Sequence, residues 1–188
     1  MKPKIGFAFS GSFCTFRQCI DVLKTIAETY DVLPILSEAS CGIDSRFGTA
    51  ESFVREIEDI CQNKVLHTID AVEPLGPKKL LDLLVIAPCT GNTIGKLANG
   101  IADSPPTFAA KAHLRNGRPI VLAISTNDGL SGSAENIGKL LNRKHYYFVP
   151  FTQDSPHSKP YSLVADFSLL QETVAFAMMK QQLQPLLR

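Results

Sequence analysis

Short apolar runs alternate along this chain with longer stretches of helical period. Residues 5–9 form an apolar run of strand length that Ser10-Gly11-Ser12 halts. Over residues 14–30, Ile20, Leu23, Ile26 and Ala27 recur at helical spacing, with Asp21, Lys24 and Glu28 on the opposite side. Residues 32–36 read as a second strand, and Pro34 places it at a sheet edge or puts the proline at the strand's beginning. Residues 50–61 read as a helix with Phe53, Val54, Ile57 and Ile60 on one face. Leu83-Leu84-Val85-Ile86-Ala87 is apolar throughout, the signature of a parallel strand buried on both faces. Pro88 is expected to stop that strand and Thr93 to open a helix through Ile94, Leu97 and Ala98. Further helices are expected over 107–114, 135–141 and 169–183, and further strands over 120–124 and 146–149. The stretch 152–161, with two prolines and no periodicity, is expected to be a loop and a candidate lid.

Strands separated by helices imply βαβ units, hence an α/β fold: an open parallel sheet with helices on both faces, in three layers. No linker or internal repeat divides the 188 residues, so residues 1–188 are expected to form a single domain. Composition fits that picture, with 45% apolar and 20% charged residues. No apolar run is long enough to span a bilayer, and the first one is too short for a signal segment, which implies a cytoplasmic protein. A net charge of +1 without a basic stripe argues against nucleic acid as a partner. The five cysteines form no C-x-x-C pair and the four histidines are isolated, so no metal site is expected.

Ligands of an open parallel sheet bind beyond the carboxyl ends of its strands. Four such ends here share a character: Ser10-Gly11-Ser12, Ser37 with Ser40, Cys89-Thr90-Gly91-Asn92-Thr93, and Ser125-Thr126-Asn127. Hydroxyl and amide groups beside helix N-termini can hold a phosphate without a basic patch. Caps and turns use the same residue types, so any one of these ends alone is also explained by local structure. Neither a P-loop nor a G-x-G-x-x-G dinucleotide fingerprint is present.

Ala87-Pro88-Cys89-Thr90-Gly91-Asn92-Thr93, followed by Gly95-Lys96-Leu97-Ala98-Asn99-Gly100-Ile101-Ala102-Asp103, resembles the P-A-S-A-N-T and K-x-A-x-G-I-A-D signatures of the homo-oligomeric flavin-containing cysteine decarboxylases. That family includes phosphopantothenoylcysteine decarboxylases and, in a related branch, flavin prenyltransferases. Asn127 and Asn136-Ile137-Gly138-Lys139-Leu140 resemble the family's later M-N and N-L-x-x-L segments. The resemblance implies a Rossmann-like, flavodoxin-like fold, a flavin mononucleotide (FMN) site and assembly as a trimer or a multiple of one. It places the FMN phosphate on the amides after Ser10, Gly11 and Ser12, with Ser37, Ser40, Ser125, Thr126 and Asn127 nearby. Pro88, Cys89, Thr90, Asn92 and Thr93 complete the implied site, with the Cys89 thiol facing it as a candidate thiolate.

Departures from the family pattern bear on activity. The family's catalytic histidine corresponds to Pro74, which can neither donate nor accept a proton, and His67 lies seven residues earlier. Thr126 replaces a substrate-clamping methionine, and the loop 127–136 is shorter than the family's. The prenyltransferases' arginine- and glutamate-bearing elements are not visible. The tail, through Tyr147-Phe148-Val149-Pro150-Phe151, Lys159-Pro160 and Ser162-Leu163-Val164-Ala165-Asp166, resembles instead a branch from endospore-forming bacteria. There the chain is one half of a two-component sporulation oxidoreductase of the mother-cell cytoplasm, its partner binding a nicotinamide cofactor (NADP). The implied substrate is a small dicarboxylate, for which Arg17, Arg46, His157 and Lys159 are the candidate cations. Cys89, Asn92 and Lys159 are the candidate catalytic residues, and Phe16, Phe53 and Phe108 are expected in the core rather than stacked on a flavin. A stand-alone flavin-dependent decarboxylase or prenyltransferase, and a binding or scaffold protein without flavin, are the alternatives.

Overall fold

The computed structural model describes residues 2–188. In chain order the elements are β1 (Lys4–Phe9), α1 (Phe13–Thr29), β2 (Asp31–Leu36), α2 (Glu38–Gly42), α3 (Ala50–Cys61), α4 (Ile69–Val72), β3 (Leu83–Cys89), α5 (Gly91–Asn99), α6 (Pro105–Leu114), β4 (Ile120–Thr126), α7 (Ala134–Leu141), β5 (Tyr146–Phe148), β6 (Phe151–Ser155), β7 (Lys159–Ala165) and α8 (Leu170–Met178). Single 3₁₀ turns lie at Glu73–Leu75 and Phe167–Leu169. Among the described residues no helix is long and apolar enough to cross a membrane.

The sheet has seven strands in the order β2-β1-β3-β4-β7-β6, with β5 also on β4. The first four strands and β5 are parallel. β4 is shared along its outer side: β5 pairs with its start, Ile120 to Leu122, and β7 runs antiparallel to its end, Ser125 and Thr126. The period-2 alternation of a strand sorts side chains between two cores. Phe7, Phe9, Val85, Val121 and Ala123 face α1, α3 and α8, while Ala8, Ile86, Leu122 and Ile124 face α5, α6 and α7. Phe7, Phe9, Phe16 and Phe53 form a chain of rings with centroids 5.0–5.2 Å apart. Full burial of each such ring contributes about 1.5–3 kcal/mol. Three layers result, as the alternation of strands and helices implied.

The proline of β2 sits mid-strand rather than at its start, on an edge strand as expected. Pro34 pairs with Phe7 on the inner side, while its carbonyl accepts from Leu66 N–H at 2.9 Å on the outer side, where its own missing N–H would have pointed. Two expectations are corrected. The stretch 152–161 is not a loop: most of it belongs to the antiparallel β6–β7 hairpin, which makes the sheet mostly rather than wholly parallel. The hairpin buries Phe151, Leu163 and Ala165 but leaves much of its length exposed, so hydrophobicity does not announce it. The closing helix ends at Met178, not at residue 183. Lys180 takes φ +60°, and Gln182 then clamps β5, its side chain accepting from Phe148 N–H and donating to Phe148 O, each at 2.7 Å.

Candidate functional site

A cavity of about 1010 Å³ opens beyond the carboxyl ends of β1, β3 and β4. Strand order reverses between β1 and β3, and such a switch point is where an open α/β sheet forms its binding crevice. Gly11 and Ser12 follow β1 into the cavity, and the first turn of α1 adds Phe13, Cys14 and Thr15. Thr90 and Gly91 contribute from the β3–α5 turn, and Ser125, Thr126 and Asn127 from the end of β4. The opposite wall is the hairpin, with Asp154, Lys159 and Ser162, continuing into Asp166, Phe167 and Ser168. Pairing of Ser125 with Val164 and of Thr126 with Leu163 holds that wall in place, as does the bond from Ser162 Oγ to Thr126 O at 3.2 Å.

Donors here are mostly uncharged. Ser12 is the N-cap residue of α1, yet its side chain caps nothing. Its hydroxyl instead meets Ser125 Oγ at 2.9 Å and Thr15 Oγ1 at 3.2 Å, and Thr15 Oγ1 lies 3.3 Å from Ser125 Oγ. Thr15 N–H already donates to Ser12 O at 3.1 Å, so the anion-binding capacity of this 17-residue helix rests on the preceding first-turn amides of Phe13 and Cys14 and on the positive end of the dipole. The start of α5 differs, because Thr90 caps it by accepting from Thr93 N–H at 3.3 Å. Among the described residues that line the cavity, Lys159 is the one cation, against the carboxylates of Asp21, Asp154 and Asp166. Lys159 Nζ donates to Asp154 Oδ2 at 2.5 Å, which raises the pKa of the exposed ammonium and keeps it charged. The Asp166 carboxyl is held below its ordinary range, first by the Ser168 hydroxyl and also by Arg188 at 2.7 Å. The cavity's size, its three clustered hydroxyls and the uncapped α1 fit a group such as FMN, whose phosphate needs donors and whose ring needs an apolar wall like that of Phe13, Val22, Leu163 and Phe167.

A family model described as Flavoprotein matches residues 1–163. The chain belongs to the Flavoprotein family. The B subunit of dipicolinate synthase from Bacillus subtilis (strain 168) is 44% identical over 185 residues, covering 98% of this chain and 92% of that protein. The crystal structure of the corresponding dipicolinate synthase chain from Bacillus halodurans superposes with a TM-score of 0.91 at 40% identity, over 100% of this chain and 98% of that one. Phosphopantothenoylcysteine decarboxylase HAL3a of Glycine max is 28% identical over 111 residues, 59% of this chain and 52% of that protein. The FMN binding protein AtHal3 shares the fold, with a TM-score of 0.70 at 18% identity over 97% of this chain and 100% of that one.

Within this Flavoprotein domain the structure gathers three of the four strand ends named from the sequence. Ser37 and Ser40 are not among the residues lining the cavity: Ser37 caps α2, accepting from Ser40 N–H at 3.2 Å, and the two hydroxyls lie 2.8 Å apart. Ser10 is buried, its hydroxyl donating to Pro88 O at 2.7 Å and accepting from Thr90 N–H at 3.1 Å, so it ties β1 to β3 instead of facing a ligand. Pro88 lies inside β3, which continues to Cys89. The β3–β4 register shifts between Ile86 and Cys89, and the Cys89 side chain joins Ile94 and Leu97 in the apolar core. Burial pushes its thiol pKa far up, so the candidate thiolate is corrected to a core residue. The helix after β3 opens at Gly91, with Thr93 buried in its first turn against Thr90 Oγ1 at 3.0 Å. Asn92 is exposed at the start of α5, outside the cavity lining.

Of the candidate cations only Lys159 lines the cavity. Arg17 pairs with Glu56 at 2.8 Å, Arg46 lies over the Phe47 ring, and His157 is exposed at the hairpin turn. His67 is exposed and Pro74 lies in a 3₁₀ turn, neither of them lining the cavity. Sequence reasoning missed Asp128, whose Oδ1 accepts from Thr126 Oγ1 at 2.5 Å and from Ser133 Oγ at 2.8 Å. Its carboxyl is held below the ordinary range by these bonds, that of Thr126 first. It also missed Asp154 and Asp166, which enter the site through strand pairing that no local motif encodes.

Proposed function

We propose that this chain works as the B subunit of a dipicolinate synthase, together with an A subunit that binds the nicotinamide cofactor NADP. In that reaction dihydrodipicolinate loses two hydrogens, a hydride to NADP and a proton to solvent, giving dipicolinate. The observation that carries the reading is likeness to the Bacillus subtilis dipicolinate synthase chain along 98% of this one, which includes the hairpin wall of the cavity. Sequence likeness to the soybean decarboxylase spans only 59% of the chain, and the family resemblance implies that Pro74 replaces the decarboxylases' histidine.

FMN, when bound, supplies a two-electron carrier beside the substrate. Its phosphate would rest on the first-turn amides of α1 and the hydroxyls of Ser12, Thr15 and Ser125. The hairpin and the Asp166–Ser168 turn would shield the ring and substrate from water on one side. Lys159 would meet a substrate carboxylate. Assembly as a homo-oligomer, in the cytoplasm of the mother cell of a sporulating bacterium, completes the reading.

The test is an absorbance spectrum of the purified chain, an FMN titration, and an assay of dipicolinate formation with and without the nicotinamide-binding partner. Micromolar FMN binding that Ser125→Ala weakens at least tenfold, with product formed only when both proteins are present, is the expected result. Product formation by the nicotinamide-binding partner alone at an undiminished rate would overturn the catalytic role. Absence of flavin binding with product still requiring both proteins would leave a binding partner that works without flavin.

A further inference from the structure

The cavity presents a charge problem. Its ligands in the proposed reaction are anions, yet its lining carries three carboxylates and one ammonium. That ammonium is already engaged: Lys159, the first residue of β7, reaches across the hairpin to Asp154 on β6 at 2.5 Å. Both residues line the cavity, and both side chains are solvent-accessible, at 56% and 36%. The other carboxylates make different contacts. Asp166 is held by Arg188 at 2.7 Å, and Asp21 lies 3.5 Å from Lys24 on its own helix.

We infer that Asp154 is a specificity-determining residue, a built-in carboxylate that occupies Lys159 until a carboxylate of the ligand displaces it. The inference rests on the dicarboxylate reading above and deepens it. An ammonium is a compact cation with three rotatable donors, so it can exchange one carboxylate for another without backbone movement. An exposed pair of this kind is weakly held, which leaves exchange within reach of a small dianion. The exchange also selects. A neutral ring, or one without a carboxylate placed for Lys159, leaves the Asp154 pair intact and gains nothing from the cation. An incoming carboxylate must outcompete Asp154, so affinity depends on the difference between the two pairings.

Dipicolinate is the stable probe. Its affinity is measured by titration calorimetry on the full chain together with its nicotinamide-binding partner, for the unaltered protein, Asp154→Asn, Lys159→Gln and the double variant. Asp154→Asn is expected to tighten dipicolinate about twofold to fivefold, and Lys159→Gln to weaken it about tenfold or more. Their combination is decisive: in the Lys159→Gln background, Asp154→Asn is expected to change affinity by less than about twofold. An equal tightening in both backgrounds would mean that Asp154 merely repels the dianion at a distance, and would overturn the exchange. No tightening by Asp154→Asn in the otherwise unaltered chain would overturn it as well. Failure of the unaltered complex to bind dipicolinate at all would instead sink the dicarboxylate reading, and this inference with it.

Discussion

Gly91 and Asp128 approach so closely that a β-carbon on Gly91 would lie 2.8 Å from Asp128 Oδ1. The same atom would stand 2.6 Å from Thr126 Oγ1 and 2.7 Å from Ser133 Oγ, the two hydroxyls that Asp128 gathers. Glycine at the first position of α5 thus lets the β4–α7 connection close against the β3–α5 turn, and that closure shapes one side of the cavity. Gly91→Ala is expected to cost about 1–3 kcal/mol in a urea titration, by overpacking. It is also expected to weaken FMN binding more than an alanine at the exposed Gly138, where a β-carbon meets nothing within 4 Å.

Two serines, one just after β1 and one at the end of β4, should separate stability from binding. Ser10→Ala leaves Thr90 N–H and Pro88 O without their shared buried partner, which is expected to cost about 1–3 kcal/mol of stability. Ser125→Ala removes one hydroxyl from the cavity cluster and is expected to change FMN affinity more than the unfolding midpoint. Parallel chemical denaturation and FMN titration of the two variants check the contrast.

Thiol labelling should distinguish Cys14 from Cys89. Cys14 is exposed in the first turn of α1 and lines the cavity, whereas Cys89 is buried in the core. Under native conditions a disulfide reagent is expected to modify Cys14 first and to reach Cys89 only on unfolding. Mass spectrometry of peptides after timed labelling reads the order. Fast native labelling of Cys89 would contradict its placement.

His113 makes acid stability a test of the core between α6 and β4. It is buried, with Nε2 3.0 Å from Pro119 O, and desolvation lowers its pKa from 6.5 to about 4. Because the folded value lies below the unfolded one, folding favours the neutral ring. The stabilisation is complete above about pH 6.5 and is lost as pH falls through about 4. A shift of this size corresponds to about 3 kcal/mol. His113→Gln, which cannot take up the proton, is expected to flatten the stability profile across that window, as measured by denaturation at stepped pH.

Much of this molecule was legible as pattern. The helix over 50–61 matches α3 residue for residue, and the apolar runs of β1, β3 and β4 announced the buried parallel strands. The small polar residues after β1, β3 and β4 marked three sides of the cavity, because glycine and hydroxyl residues at strand ends carry their chemistry locally. The hairpin was not legible: its exposed face is polar, and antiparallel pairing to the end of β4 is a contact about 40 residues distant in sequence.

What the sequence by itself determined was the set of elements, the α/β class and the likeness to flavin-binding proteins, since periodicity and motif are properties of neighbouring residues. Tertiary structure decided which side chains reach the site. A register shift after Ile86 turned Cys89 into the core, Ser10 was drawn into a bond between strands, and β4 brought Asp154 and Lys159 over the cavity. Each of these outcomes depends on register and on the side of the sheet a residue faces, and a one-residue change in either sends a side chain to the opposite face.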